Sequence, residues 1–242
     1  MNVYLLDVTS VPEQAVSEYA YVLDADRKKR IAQYRRSADK RRSFGAGMAL
    51  LYAWRMQYKE RIMPQTARDE NGKPCFVGTA VPFCLSHSGK YASCVLGEDK
   101  ETAIGLDIQE PRRVRAGVTD RFFSDGEQKQ LGAGSDPCLI WSRKESLAKY
   151  RGSGLRGNLR LLDTTDNTVC QQLSRTENDP LCLQHAQNGN GALSRQSGQT
   201  ADGAVHLWSC QTADGYAVSV CTERAVTCRL VYLTWEQVKG IL

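Results

Sequence analysis

Trp141-Ser142-Arg143-Lys144-Glu145-Ser146-Leu147-Ala148-Lys149 is the stretch on which the reading of this chain turns. It reads as a helix in which Glu145 and Lys149, four residues apart, share one face. Upstream, Ile104-Gly105-Leu106-Asp107-Ile108 reads as a short β run with one carboxylate, Asp107, among apolar neighbours. Burying such a carboxylate is costly unless a cation or hydrogen bonds compensate it. Two carboxylates on separate elements, with a lysine beside one of them, suit a Mg²⁺-dependent phosphate reaction. The carboxylates hold the hard cation and the lysine takes up phosphate charge.

Working outward, Asp136-Pro137 makes an N-cap and N1 pair for this helix, and Gly152 and Gly154 stop it. Ser124-Asp125-Gly126-Glu127 has the form of a capping box ahead of a further helix. Residues 2–8 read as a first strand and 24–34 as a basic helix. Residues 39–58 read as a stronger helix, with Phe44, Met48, Leu51 and Trp54 near one face. Two β runs between Val81 and Leu96 flank Ser86-His87-Ser88-Gly89, and polar Gly97 to Lys100 reads as the junction between two halves. Residues 163–203, rich in Asn, Gln, Ser, Thr and Gly, read as strands joined by a long surface loop. The chain then ends on β runs at 204–211, 215–222 and 228–233 and a short tail helix. Tyr-Ala-x-x-Val occurs at Tyr91 and again at Tyr216, as a duplicated α+β unit would have it.

With 242 residues, 41% of them hydrophobic and 24% charged, the chain can bury one large core or two smaller ones. The net charge of +5 is unevenly spread: from Arg27 to Arg42, nine basic side chains face a single acid, Asp39. Such a run points to an anionic partner. The nine cysteines include no C-x-x-C pair, and Cys84, Cys94 and Cys221 fall in apolar runs, so a reducing compartment without a disulfide framework is expected. MNVYLLDVTS lacks the form of a signal peptide, and no apolar run approaches the roughly 20 residues that cross a bilayer. A cytoplasmic protein without membrane contact is expected.

Taken in order, these motifs resemble the 4′-phosphopantetheinyl transferases of the larger, two-halved, Sfp-type class. The carriers are Gly105-Leu106-Asp107, Trp141 through Lys149, Asp39-Lys40-Arg41-Arg42, Gly72-Lys73-Pro74, Ser86-His87-Ser88-Gly89 and Arg121-Phe122-Phe123. The resemblance implies transfer of the phosphopantetheine arm of coenzyme A to a serine of an acyl or peptidyl carrier protein, with release of 3′,5′-ADP. It implies an α+β fold: a pseudo-twofold pair of similar halves, each a long helix on a small, mostly antiparallel sheet. Residues 1–100 would bind the nucleotide and its 3′-phosphate. Residues 101–242 would bind metal and catalyse. A monomer with an acidic carrier-protein partner and no nucleic acid is expected.

By the same resemblance Asp107 and Glu145 bind Mg²⁺ and Lys149 contacts the phosphates, with Lys144 beside them. Arg42, Lys73, Ser86 and His87 hold the nucleotide end, and Lys29 matches a further coenzyme A contact. Many members carry a third acid where this chain has Gln109, whose neutral oxygen would ligate weakly or yield to water. Glu145 and Glu127 both stand as candidates for the proton acceptor, Glu127 being also explained by its place in the capping box. Two rivals remain: a Mg²⁺-dependent nuclease, and a basic nucleic-acid-binding module. Strand-borne Glu-x-Lys would favour the first, and the basic run alone the second.

Overall fold

A computed structural model describes residues 1–98, 103–112, 114, 116–152, 158–165, 169–173 and 205–242. In chain order these form β1 (Asn2–Asp7), α1 (Glu13–Tyr19), α2 (Ala25–Gln33), α3 (Ser37–Tyr58), β2 (Thr66–Arg68), β3 (Pro74–Phe76), β4 (Phe83–Ser88) and β5 (Tyr91–Leu96). There follow β6 (Ile104–Gln109), α4 (Ala116–Phe122), α5 (Asp125–Gly132), α6 (Pro137–Arg151), β7 (Val169–Leu173), β8 (Val205–Gln211), β9 (Ala217–Thr222), β10 (Arg229–Leu233) and α7 (Trp235–Lys239). The result is a mixed α+β fold with two four-stranded sheets, ordered β10-β1-β5-β4 and β6-β9-β8-β7, and a small β2-β3 ladder. Each large sheet is antiparallel apart from one parallel outer pair, β1 with β10 and β7 with β8.

Period-two alternation distributes each strand between two cores. Tyr4 and Leu6 of β1, with Ala92, Cys94 and Leu96 of β5, meet Phe44, Met48 and Leu51 of α3. Val3, Leu5 and Val95 point the other way, into a second core with Ile104, Leu106 and Ile108 of β6 and Val218 and Val220 of β9. The apolar residues of β6 therefore face the other sheet, which turns Gly105, Asp107 and Gln109 toward α6. Period two thus accounts for a carboxylate in an apolar strand: it occupies the opposite face.

α3 is buried almost all round from Ser43 to Leu51, not along one stripe, because α1, α2 and α7 cover its outer side. Gly45 and Gly47 allow this; a Cβ on Gly45 would lie 2.7 Å from a Val8 methyl. The end of the chain also differs from the expected two-part division. β10 pairs with β1 from Asn2↔Arg229 to Leu6↔Leu233, and Trp235 packs on Tyr19 and Phe44 at 5.6 and 5.9 Å. Residues 229–239 thus complete the first half. Of the polar stretch 163–203, β7 pairs with β8, and most of the rest lies outside the described residues, as does Gly154.

Gly105 sets the distance between β6 and α6. A Cβ there would sit 1.9 Å from the Ser146 carbonyl oxygen and 2.7 Å from the Tyr150 nitrogen, both backbone atoms that cannot swing aside. Gly105→Ala should therefore cost about 3 kcal/mol or more and push α6 away from Asp107. A urea midpoint equal to that of the parent would contradict this packing.

Candidate active site

α6 begins where the Asp136 carboxylate accepts from the Cys138 amide at 2.9 Å, with Pro137 in its first turn. It ends on Gly152, which takes the left-handed conformation at φ 70°. Between these stops Glu145 and Lys149 lie on the face turned to β6 and β4. The Lys149 ammonium donates to Asp107 Oδ1 at 2.6 Å, to Ser86 Oγ at 2.9 Å and to the Leu106 carbonyl at 3.0 Å. It lies 3.9 Å from Glu145 Oε2. Ser86 donates to Asp107 Oδ1 at 2.8 Å, and Gln109 Nε2 donates to Asp107 Oδ2 at 2.7 Å. The buried Asp107 is thus compensated by a cation and two neutral donors, as its burial requires.

Glu145 is less well compensated, with a hydrogen bond from Trp141 and the more distant Lys149 ammonium. Burial, then the charge of Asp107, pushes its carboxyl up to about 8 against the pull of Lys149. Burial alone would lower the Lys149 ammonium, but Asp107, with Cys84 and Glu145, outweighs it and leaves that group raised. Two carboxylates held this close share a deficit of positive charge.

They open onto a cleft of about 870 Å³ between the two sheets. From the first half it is lined by Arg27, Arg30, Arg42, Lys73, Ser86 and His87, and from the second by Asp107, Gln109, Glu145 and Lys149. Arg42 is fixed by an ion pair with Asp39 and by donating to the Gly89 carbonyl at 3.1 Å. Lys73 donates to the Tyr150 carbonyl at 3.1 Å, tying the turn after β2 to the last turn of α6, and burial lowers its pKa. Desolvation at the cleft wall, then Arg42 and Lys149, lower that of His87. The cleft is therefore strongly cationic on one side and carboxylate-lined on the other.

Three residues named from the sequence lie elsewhere. Lys144 follows Arg143 and precedes Glu145, so it points about 100° away from Glu145 around the helix. It is fully buried, donating to Glu127 Oε2 at 2.7 Å, to the Leu159 carbonyl at 2.8 Å and to the Leu162 carbonyl. Glu127 is equally buried. It caps α5 by accepting from the Ser124 amide at 2.9 Å, and it accepts from the Thr164 hydroxyl at 2.8 Å. The Lys144–Glu127 pair is a strut beneath α6 and does not line the cleft. Lys29 is exposed on the outer face of α2, and Arg27 and Arg30 face the cleft in its stead. The sequence held a signal for this: Arg27 stands four residues before buried Ile31, on the inward side of α2.

Among the described residues no three His, Cys, Asp or Glu side chains cluster as a metal site. The donor set nonetheless fits a hard divalent cation. Asp107 and Glu145 supply two carboxylates, and Gln109, donating through Nε2, retains its amide oxygen. Mg²⁺ commonly takes one or two carboxylates and keeps several waters.

Two carboxylates and a lysine facing a cationic wall suit a ligand that carries phosphate groups. Residues 103–221 match the 4′-phosphopantetheinyl transferase superfamily. Relatives bear the same description. The chain is 30% identical over 119 residues to the 4′-phosphopantetheinyl transferase AcpT of Salmonella typhi, covering 46% of this chain and 60% of that protein. It is 33% identical over 93 residues to the 4′-phosphopantetheinyl transferase Sfp of Bacillus subtilis (strain 168), covering 36% of this chain and 40% of that one. It is 33% identical over 95 residues to the L-aminoadipate-semialdehyde dehydrogenase-phosphopantetheinyl transferase of Saccharomyces cerevisiae, covering 34% and 35%. The matches thus span less than two thirds of each relative's length. The stretch 103–221 holds Asp107, Gln109, Glu145 and Lys149, while the cationic wall of the first half lies outside it. No helix among the described residues is long and apolar enough to cross a membrane.

Proposed function

We propose that this chain transfers the 4′-phosphopantetheine arm of coenzyme A to a serine of an acyl or peptidyl carrier protein and releases 3′,5′-ADP. It acts as a two-halved, Sfp-type enzyme whose halves are related as pseudo-twofold copies. The observation that carries this reading is the meeting, in one cleft, of Arg27, Arg30, Arg42, Lys73 and His87 with Asp107, Glu145 and Lys149. Coenzyme A has that same charge layout, a 3′-phosphorylated nucleotide at one end and a reacting pyrophosphate further along. A single chain supplies both sides, in keeping with a monomer. Glu145 and Lys149 lie on a helix, and not on the strand where a nuclease of the rival type carries its Glu-x-Lys.

Mg²⁺ held by Asp107 and Glu145, with Gln109 as a neutral third donor, supplies Lewis-acid neutralisation of the pyrophosphate when bound. The residues of the chain do the rest. The arginines and Lys73 fix the nucleotide, which turns a bimolecular encounter into an oriented one. Lys149 stands 2.6 Å from Asp107 and can turn one of its three N–H donors from Ser86 or the Leu106 carbonyl to a phosphate oxygen while keeping its proton. Of the two carboxylates open as acceptor for the serine proton, Glu145 reaches the cleft and Glu127 is sealed against Lys144. Glu145 is the acceptor in this account.

Arg42→Ala, Lys73→Ala and His87→Ala should each raise the KM for coenzyme A, by roughly tenfold or more for Arg42 and Lys73, with kcat little changed. Their contacts are to the end of the substrate that does not change in the transition state. Dephospho-coenzyme A should lose its disadvantage in whichever variant removes the 3′-phosphate contact. Unchanged KM in all three variants would mean that the first half does not hold the nucleotide.

Gln109→Glu adds a charge beside Asp107 and should lower the Mg²⁺ concentration needed for half-maximal rate, a gain of about 1 kcal/mol in partly solvated surroundings. Gln109→Ala removes a neutral hydrogen bond to Asp107 and should change the rate less than tenfold. A large loss in Gln109→Ala would make Gln109 a required ligand. The proposed activity itself is tested by following 3′,5′-ADP released from coenzyme A. Release should require both Mg²⁺ and an apo carrier protein, and release independent of carrier protein would contradict the assignment.

A further inference from the structure

β4 and β5 are joined by the two-residue turn Gly89-Lys90, with Ser88 paired to Tyr91 across it. Gly89 takes φ +51°, the positive φ that a hairpin turn of the II′ class needs at its first central residue. The peptide group between Gly89 and Lys90 is held at both of its polar atoms, from opposite halves of the molecule. Its carbonyl accepts from Arg42 Nη1 at 3.1 Å, and its N–H donates to the hydroxyl of Tyr216 at 3.1 Å. Because the peptide is planar and rigid, the two bonds are not independent: fixing the N–H fixes where the carbonyl points. They also polarise one another through that group.

Tyr216 is itself rigidly placed. It is buried at the start of the segment leading into β9, its ring meets that of Tyr91 edge-on at 4.9 Å, and its amide donates to Thr212 Oγ1 at 2.9 Å. Its hydroxyl donates onward to Glu110 Oε1 at 3.4 Å, and Glu110 lies on the rim of the cleft. The fit is close: a Cβ on Gly89 would stand 2.2 Å from the Tyr216 oxygen and 2.6 Å from Glu110 Oε1. The catalytic account above gives no task to this hydroxyl.

We propose that Tyr216 is a positioning residue: from the second half, its hydroxyl clamps the Gly89–Lys90 peptide and thereby aims Arg42 into the coenzyme A cleft. Arg42 is steered at one end by Asp39 on its own helix and at the other by the Gly89 carbonyl. Without Tyr216 the peptide can rotate, the second anchor is lost, and the guanidinium spends less time where a phosphate would meet it. The clamp thus makes nucleotide binding by the first half depend on its docking to the second. This role rests on the transfer activity proposed above.

The test is steady-state kinetics on the full chain for wild type, Tyr216→Phe, Arg42→Ala and the double variant, with coenzyme A varied. Tyr216→Phe keeps the ring and its contact with Tyr91, so the fold should survive. Its KM for coenzyme A should rise on the order of tenfold, as for one lost hydrogen bond to a bound group, with kcat within about twofold. In the Arg42→Ala background the same change should leave KM where Arg42→Ala alone put it. Wild-type KM in Tyr216→Phe, a loss confined to kcat, or multiplying effects in the double variant would each overturn the role. A second readout needs no substrate: the Lys90 amide should exchange several-fold faster in Tyr216→Phe, and unchanged exchange would overturn the clamp. A wild-type chain that transfers nothing defeats the transferase reading and this role with it. Normal wild-type transfer beside an unaltered Tyr216→Phe defeats the role of Tyr216 alone.

Discussion

Glu145→Gln should lose on the order of a hundredfold or more in transfer rate while leaving the protein at least as stable as the parent. The two halves of this result have one cause. Glu145 is packed against the buried Asp107, and its carboxyl is pushed up to about 8 by burial first and by Asp107 second. A carboxyl with a raised native pKa keeps its proton through a range where the unfolded chain releases it. In the presence of chelator, stability should therefore fall as pH rises from about 4.5, the unfolded value, to about 8. Glu145→Gln removes that dependence and the destabilising charge together. Strain of this kind at a site is kept for its function. Asp107→Asn should lose activity comparably but also lose stability, because Lys149 then has no strong counter-charge at 2.6 Å. Thermal melts from pH 5 to 8.5 beside rate measurements decide this. A Glu145→Gln variant that transfers normally in saturating Mg²⁺ removes Glu145 from the chemistry.

The largest loss of stability is expected at Glu127 and Lys144. Both side chains have no exposure, and they meet at 2.7 Å. Glu127→Ala leaves the Lys144 ammonium buried with two carbonyl oxygens and without its paired carboxylate, at a cost of about 3–5 kcal/mol. It also removes one arm of the α5 capping box. Replacing both partners by apolar residues, as in Glu127→Leu with Lys144→Met, should recover much of the loss. Urea unfolding of the single and double variants measures it. Any loss of transfer should follow the folded fraction, with KM for coenzyme A unchanged. If Glu127→Gln keeps its melting temperature and still loses turnover, Glu127 acts in the chemistry and Glu145 is not the sole acceptor.

The contrast between these two pairs shows what the sequence could disclose. Glu145 and Lys149 were legible because helical spacing alone puts them on one face, and the stops at Asp136-Pro137 and Gly152 bound that helix from local chemistry. Asp107 was legible as an anomaly, a charge in an apolar strand. Lys144 was not, since adjacency in sequence suggested adjacency in the site while the helix turns it about 100° away. Lys29 failed for the same reason on α2: within a run of cations only the buried Ile31 tells which ones face inward. The return of β10 to β1 was hidden because a strand carries no mark of its partner. Burial of α3 on every side depends on α7, a segment some 180 residues away, which no periodicity within α3 can register.

The central claim is that the cleft passes phosphopantetheine from coenzyme A to a protein serine, and the intact mass of an apo carrier protein tests it most directly. Incubated with coenzyme A, Mg²⁺ and this protein, the carrier should gain the mass of one phosphopantetheine group, and lose the gain when its acceptor serine is replaced by alanine. The same incubation with Glu145→Gln should leave the carrier nearly unmodified. A carrier protein of unchanged mass after incubation with the folded wild-type chain and saturating coenzyme A and Mg²⁺ would contradict the account.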